Sequence, residues 1–277
     1  IVYDSRSFTK DDDNWLINVQ IYSEEFRADL NSIWMDEMDM PATEYAIAFP
    51  KNSDSEALTS QINEFIRTAK QSGALAELES KWFSNVEPDV SIDMSQLTGE
   101  NGTLRIATTV ESKPFDYLKD GQLYGLDMEF IFLFAKEYGY ALEIDTMDFG
   151  AILPSLATKG YDLAISSITV TEERKEQVDF TDSYATGIQS IIVKEDSAIT
   201  SVDDLYAEGA AYKVGVQLGT TGDIYASDDF GAELVSQFAN GNEAVMALNG
   251  GAVDCVIIDN QPAKALVEAN EGLVILE

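Results

Sequence analysis

An α/β fold arranged as two small lobes is what this sequence predicts, on three observations. From Thr103 onward short apolar runs alternate with amphipathic stretches, the pattern of strands feeding helices in a mostly parallel sheet flanked by helices. A second set of the same kind follows Asp196. The 277 residues, 45% of them hydrophobic, suffice for one large core or two modest ones.

Taken in chain order, residues 1–43 give no assignable pattern. Trp15, Phe26 and Trp34 stand among many acids, and Asp11-Asp12-Asp13 lacks the glycine and terminal glutamate of a calcium loop, so the segment is expected to be a solvated loop. Tyr45 to Phe49 reads as a strand. Leu58, Ile62, Phe65, Ile66 and Ala69 share one helical face, Gly73 breaks that helix, and Leu75, Leu78 and Trp82 mark a second one. Residues 44–87 thus form one segment, and 88–102, with Thr98-Gly99 and Asn101-Gly102, a polar linker. Asn101-Gly102-Thr103 fits a glycan acceptor as well as a plain turn.

The first lobe is expected over 103–195. Its strands are Leu104 to Ala107, Leu142 to Ile144 and Leu163 to Ile165, and its helices Met128 to Tyr138 and Ile152 to Ala157. Ile188 to Val193 is expected to be the extended segment joining the lobes. The second lobe, 196–277, offers strands Lys213 to Val216 and Val253 to Ile258, with helical Ala244 to Leu248 and the turn Asn249-Gly250-Gly251 between them.

Composition excludes several functions. Fifty acidic residues against 17 Lys+Arg give a formal net charge of −33, which opposes the phosphate neutralisation that nucleic acid or an anionic membrane needs. With no histidine, histidine-dependent triads and imidazole acid/base chemistry are excluded. Cys255 stands alone in the apolar stretch Val253 to Ile258, so no intrachain disulfide forms. The longest apolar run, Phe130 to Phe134, is too short for a membrane span. The chain starts at Ile1 and stops just after a strand-like run, so both ends are expected to be cut.

Three constellations carry chemistry. Leu163 to Ile165 runs into a Ser/Thr-rich turn in which Thr169 and Glu172 fit the capping box that opens a helix. Free backbone N–H groups are then expected beside the hydroxyls of Ser166, Ser167 and Thr169, and Arg174 adds the planar two-donor fork that matches a carboxylate. A capped surface helix whose Arg174 pairs with acidic neighbours fits the same residues. Leu218 to Asp223, with Gly219, Thr220, Thr221 and Gly222 at a strand-to-helix turn, is a second anion pole or a structural turn. It lacks the lysine of a nucleotide P-loop. Asp259 ends a strand where an α/β sheet presents residues to a crevice, and suits an ammonium or a helix cap. A zwitterion would satisfy all three. Phe149, and Phe115 with Tyr117, offer aromatic walls or core packing.

Several stretches in order carry a resemblance: Pro114-Phe115-Asp116-Tyr117, Gly125-Leu126-Asp127, Met147 to Leu153, Ser166 to Arg174, Val178 to Thr181, Gln217 to Gly222 and Val253 to Asp259. From Thr103 to Glu277 the chain resembles the polar amino-acid-binding proteins of bacterial uptake transporters, the extracellular solute-binding proteins of family 3. The resemblance implies a two-lobed clamp of the periplasmic-binding-protein kind. Such a clamp closes on an L-amino acid in the periplasm or at the cell surface and delivers it to an ABC permease, without cofactor, metal or catalysis. It implies that Arg174, Thr169 and Ser167 take the α-carboxylate with Thr220 and Thr221. Asp259 would take the ammonium, and Thr109, Ser112, Phe149 and Gln217 would surround the side chain.

Two positions depart from the family pattern. Ser112 stands where an aromatic is usual, and Thr109 where an acid often holds basic side chains, so an uncharged or small polar ligand is expected. The order departs too. Glu44 to Phe83 resembles the family's carboxyl-terminal part yet comes first, as in a fragment of a tandem protein or a permuted domain, and could dock on the first lobe. A sensory module of a membrane receptor, or a dehydratase using Asp259 as general acid, are the other functions such a scaffold allows.

Overall fold

A computed structural model describes residues 8–11, 14–17, 43–51, 55–84, 86, 88–90 and 92–276. The chain divides into two compact units, Ile1–Pro41 and Ala42–Glu277. In the first, β1 (Phe8–Asp11) and β2 (Asn14–Ile17) pair antiparallel, with Phe8 opposite Ile17. Part of the expected loop over 1–43 is therefore strand, and the rest lies outside the described residues.

The second unit opens with β3 (Thr43–Tyr45) and β4 (Ala48–Pro50). One strand was expected from Tyr45 to Phe49, but the chain changes partner in the middle. β3 pairs antiparallel with β12 (Ala185–Gly187), while β4 inserts between β10 (Leu163–Ala164) and β11 (Val178–Phe180). At the break, Ala46 N–H donates to the Ile168 carbonyl (3.0 Å) and Ile47 N–H to the Thr181 hydroxyl (3.0 Å). Residues 45 to 49 are fully buried, which explains their unbroken apolarity.

Two five-stranded sheets follow. The first runs β11-β4-β10-β5-β9, with β5 Thr103–Thr108 and β9 Ala141–Thr146. The second runs β15-β14-β16-β13-β17, with β13 Gln189–Lys194, β14 Val214–Gln217, β15 Val235–Phe238, β16 Cys255–Asp259 and β17 Leu273–Ile275. The pairings give each sheet a single strand, β4 or β13, that runs against the others. Each reversed strand follows a member of the β3–β12 ribbon. β13 therefore lies inside the second sheet rather than joining the lobes as expected, and the crossing is made by β12. A small antiparallel sheet, β6 (Glu111–Ser112), β7 (Asp116–Lys119) and β8 (Gln122–Tyr124), sits on the first lobe.

The first core is closed by three helices: α1 (Glu56–Ser72), α2 (Ala74–Trp82) and α3 (Leu126–Tyr138). Gly73, at φ 83°, ends α1 in the left-handed cap that glycine adopts without penalty. Ile62 and Ile66 of α1 are fully buried, and Phe65 meets Phe130 and Phe134 edge-on at 5.3 and 5.7 Å. The Trp82 indole N–H donates to Glu129 Oε2 (2.7 Å), and Lys81 pairs with the other oxygen. Gly125 opens α3 at φ 125°, and a Cβ there would lie 1.9 Å from the Phe115 carbonyl oxygen, so only glycine fits. In the linker the Asn101 amide donates to the Tyr138 carbonyl (2.8 Å), as a turn side chain.

On the outer face of the first sheet lies α4 (Phe149–Thr158), and α5 (Glu172–Gln177) leads into β11. The second sheet carries α6 (Asp203–Tyr206), α7 (Thr221–Phe230), α8 (Gly241–Asn249) and α9 (Asn260–Ala269). Strand alternation in β16 sends Val256 and Ile258 to the core under α8 and α9, and Cys255 and Ile257 to the core under α7. Burial pushes the Cys255 thiol up to about 12, so it packs as an inert side chain.

Candidate functional site

The helix after the Ser/Thr turn starts later than its sequence suggests. Thr171, not Thr169, caps α5: its hydroxyl accepts from Arg174 N–H, while Thr169 bridges to Tyr45 in a one-residue antiparallel contact. The turn's N–H groups are also less free than expected. Ser167 N–H is spent on Asp127 (2.7 Å) and Val170 N–H on the Glu44 carbonyl (2.9 Å).

What remains is the guanidinium of Arg174, which is buried (5% exposed). Nη1 donates to the Thr169 carbonyl (2.8 Å) and Nη2 reaches the other lobe, donating to the Gly219 carbonyl (2.9 Å). The guanidinium carbon stands 5.5 Å from the centroid of the Phe149 ring, a cation–π contact.

Across the cleft, the Thr220 hydroxyl accepts from Asp223 N–H and caps α7, and Thr221 accepts from the Gln189 amide (3.2 Å). Helix geometry leaves the N–H groups of Thr221 and Gly222 without intrahelical acceptors, facing an N-terminus that favours anions. Asp259, at the end of β16, accepts the Tyr45 hydroxyl (2.7 Å) on one oxygen and the Gln189 amide on the other. β3 and β13 thus each supply it a donor. Burial pushes the Asp259 carboxyl up, opposed by those two bonds and by the charge of Arg174. Burial lowers Arg174, and Asp259 supports its charge in return.

A cavity of about 310 Å³ lies between the two sheets' carboxyl ends. Thr109, Ser112, Phe149, Ser167, Thr169 and Arg174 line it from the first lobe, and Gln217, Thr220, Thr221 and Asp259 from the second. Two expected residues do not. Ser166 points into the first lobe, fully buried, where it donates to Asp116 Oδ2 (2.6 Å). Phe115 is core, edge-on to Tyr45 at 5.4 Å and to Phe83 at 5.5 Å. Glu111, Lys113 and Asn242, which no motif marked, also line the cavity.

Beneath the turn lie two fully buried acids, Asp116 and Asp127, inside two of the stretches that carry the family resemblance. Asp116 accepts from the hydroxyls of Thr109 and Ser166. Burial raises it well above the carboxylate range, helped by repulsion from Asp127. Burial likewise raises Asp127, against its bonds from Tyr184 and Ser167. A carboxyl raised on folding keeps its proton where the unfolded chain has lost it. Its stability contribution is full below about pH 4, the range of an unfolded aspartate, and is lost as pH rises through the folded value. Asp116→Asn needs no proton and is expected to flatten the decline in urea-measured stability as pH rises above about 4. An unchanged slope would show that Asp116 ionises at little cost.

Two α/β lobes joined by a strand ribbon, with a buried arginine on one side of a single cavity and a half-buried aspartate on the other, make a two-lobed clamp. The model of the bacterial extracellular solute-binding proteins, family 3, matches residues 104–254, more than half of the chain, and the chain belongs to that family. It is 33% identical over 177 residues to the arginine-binding extracellular protein ArtP of Bacillus subtilis (strain 168), covering 61% of this chain and 66% of that protein. It is 29% identical over 180 residues to the L-cystine-binding protein TcyJ of Escherichia coli (strain K12), covering 64% and 66%. The matches thus span just under two thirds of these relatives' lengths. Among solved structures, an ancestral arginine-binding protein bound to glutamine superposes with a TM-score of 0.59 at 38% identity, covering 63% of this chain and 78% of that one. The arginine-, lysine-, histidine-binding protein ArtJ from Geobacillus stearothermophilus gives 0.59 at 32% identity, covering 63% and 75%.

Proposed function

We propose that the cleft captures one L-amino acid as a zwitterion, outside the cytoplasm, and that the loaded clamp hands it to an ABC permease without chemical change. One observation carries this reading: Arg174 and Asp259, from opposite lobes, line a single cavity. The α-carboxylate sits on the Arg174 fork and the N-terminus of α7, and the ammonium on Asp259. Binding across both lobes favours the closed arrangement because only that arrangement offers both contacts.

Thr109, Ser112, Phe149 and Gln217 surround the side chain in this reading. The Thr109 hydroxyl is engaged by Asp116, and no acid stands at that position, which favours an uncharged or small polar ligand. Residues 44–87 belong to the same binding unit as the closing segment of the first lobe, a reading supported by the place of β4 between β10 and β11.

A thermal-shift series over the common amino acids tests the reading. At a hundredfold excess over its dissociation constant the ligand is expected to add about 2.7 kcal/mol of stability. Tightest binding by arginine or lysine would overturn the side-chain assignment, and no stabilisation by any amino acid would overturn the function.

A further inference from the structure

We infer that Asp127 is a positioning residue for the ligand-receiving turn: its carboxylate holds Ser167 in place and ties that turn to Tyr184, the residue leading into the crossing strand β12. The functional meaning rests on the amino-acid reading above, while the geometry stands apart from it.

Asp127 is fully buried in the first turn of α3. Its own N–H and that of Leu126 are taken by the carbonyls of Phe115 (3.0 Å) and Pro114 (2.9 Å), which pins the helix start. The side chain then spans two elements. Oδ2 accepts Ser167 N–H at 2.7 Å and Oδ1 accepts the Tyr184 hydroxyl at 2.8 Å, and that hydroxyl oxygen lies 3.2 Å from the same Ser167 N–H. Ser167 has φ 41°, in the left-handed region that a residue with a Cβ disfavours, so something must hold it there. A charge-capable acceptor on its N–H does so. The same conformation places Ser167 on the cavity wall while its neighbour Ser166 points inward.

Tyr184 is anchored on its other side. Its ring stacks on Phe130 (5.2 Å between centroids) and its N–H donates to the Tyr45 carbonyl (2.9 Å), the residue whose hydroxyl reaches Asp259. One carboxylate therefore links the turn to both strands of the ribbon. An asparagine can keep both links, with its oxygen toward Ser167 N–H and its NH₂ toward the Tyr184 oxygen, whereas an alanine keeps neither.

The test uses the ¹⁵N-labelled full chain with Asp127→Ala, Asp127→Asn and Tyr184→Phe. In Asp127→Ala the Ser167 amide is expected to move upfield and exchange about tenfold faster, the scale of losing one buried hydrogen bond. The Ile165 amide, bonded to the Ala107 carbonyl (3.2 Å), is expected to stay unchanged. Asp127→Asn is expected to restore Ser167, and calorimetry with L-glutamine and L-arginine is expected to show affinity following the same order. An unmoved Ser167 amide, or Ile165 loosening equally, overturns the assignment. If Asp127→Ala does not fold, Tyr184→Phe decides: it keeps the ring and removes the hydroxyl, and a Ser167 amide indifferent to that loss breaks the tie to β12. If neither amino acid binds the unsubstituted chain, the ligand reading falls for those probes while the amide measurement still decides on Asp127.

Discussion

Arg174→Ala is expected to weaken amino-acid binding by roughly two to three and a half orders of magnitude, the 3–5 kcal/mol lost when one side of a buried charge pair is removed. The substitution deletes the donors to the Thr169 and Gly219 carbonyls and the cation over Phe149, and leaves the incoming carboxylate facing the cleft without its fork. Arg174→Lys restores charge but not the planar two-donor geometry, so it is expected to recover only part of the loss. Isothermal calorimetry with the amino acid found by thermal shift gives the number. An affinity within about threefold of the parent, with unchanged urea stability, would remove Arg174 from the site.

Trp82→Ala is expected to destabilise the chain by about 3–5 kcal/mol, the range for emptying a large aromatic from a core. Trp82 is 3% exposed, lies edge-on to Tyr117 at 6.4 Å, and gives its N–H to Glu129, which would be left buried with Lys81 as its remaining partner. The expected size depends on α1 and α2 being packed on the first lobe and not merely adjacent to it. Urea denaturation measures it, and a loss under about 1 kcal/mol would mean that residues 44–87 dock too loosely to complete that lobe.

The parts of the site written in local sequence were legible. Arg174 after a strand and a hydroxyl-rich turn, the Gly219–Gly222 loop before a helix, and Asp259 at a strand end each carry their geometry within a few residues. What was misread depended on packing. Ser166 and Ser167 are neighbours of one residue type, yet one turns to Asp116 and the other to the cavity, and the acid that decides this lies fifty positions upstream of Ser166. Phe115 was drawn inward by Tyr45 and Phe83, from a segment that precedes its lobe in the chain. The α5 cap moved from Thr169 to Thr171 because Thr169 is held by Tyr45 across a bridge that no local pattern contains. The Tyr45–Asp259 bond spans 214 positions and could not be read from either end.

The ribbon of β3 and β12 has a topological consequence. Among the described residues of 43–276 only β12 carries the backbone from one lobe to the other; β3 lies beside it through ladder bonds, the Thr43 hydroxyl on the Gly187 carbonyl (3.0 Å) and Tyr45 on Asp259. Even Gly187 is shaped by this contact, since a Cβ there would sit 1.9 Å from the Tyr45 hydroxyl. A protease nicking this strand once would turn an intramolecular clamp into two fragments. Assembling the cleft would then depend on protein concentration, and halves from different molecules could be exchanged.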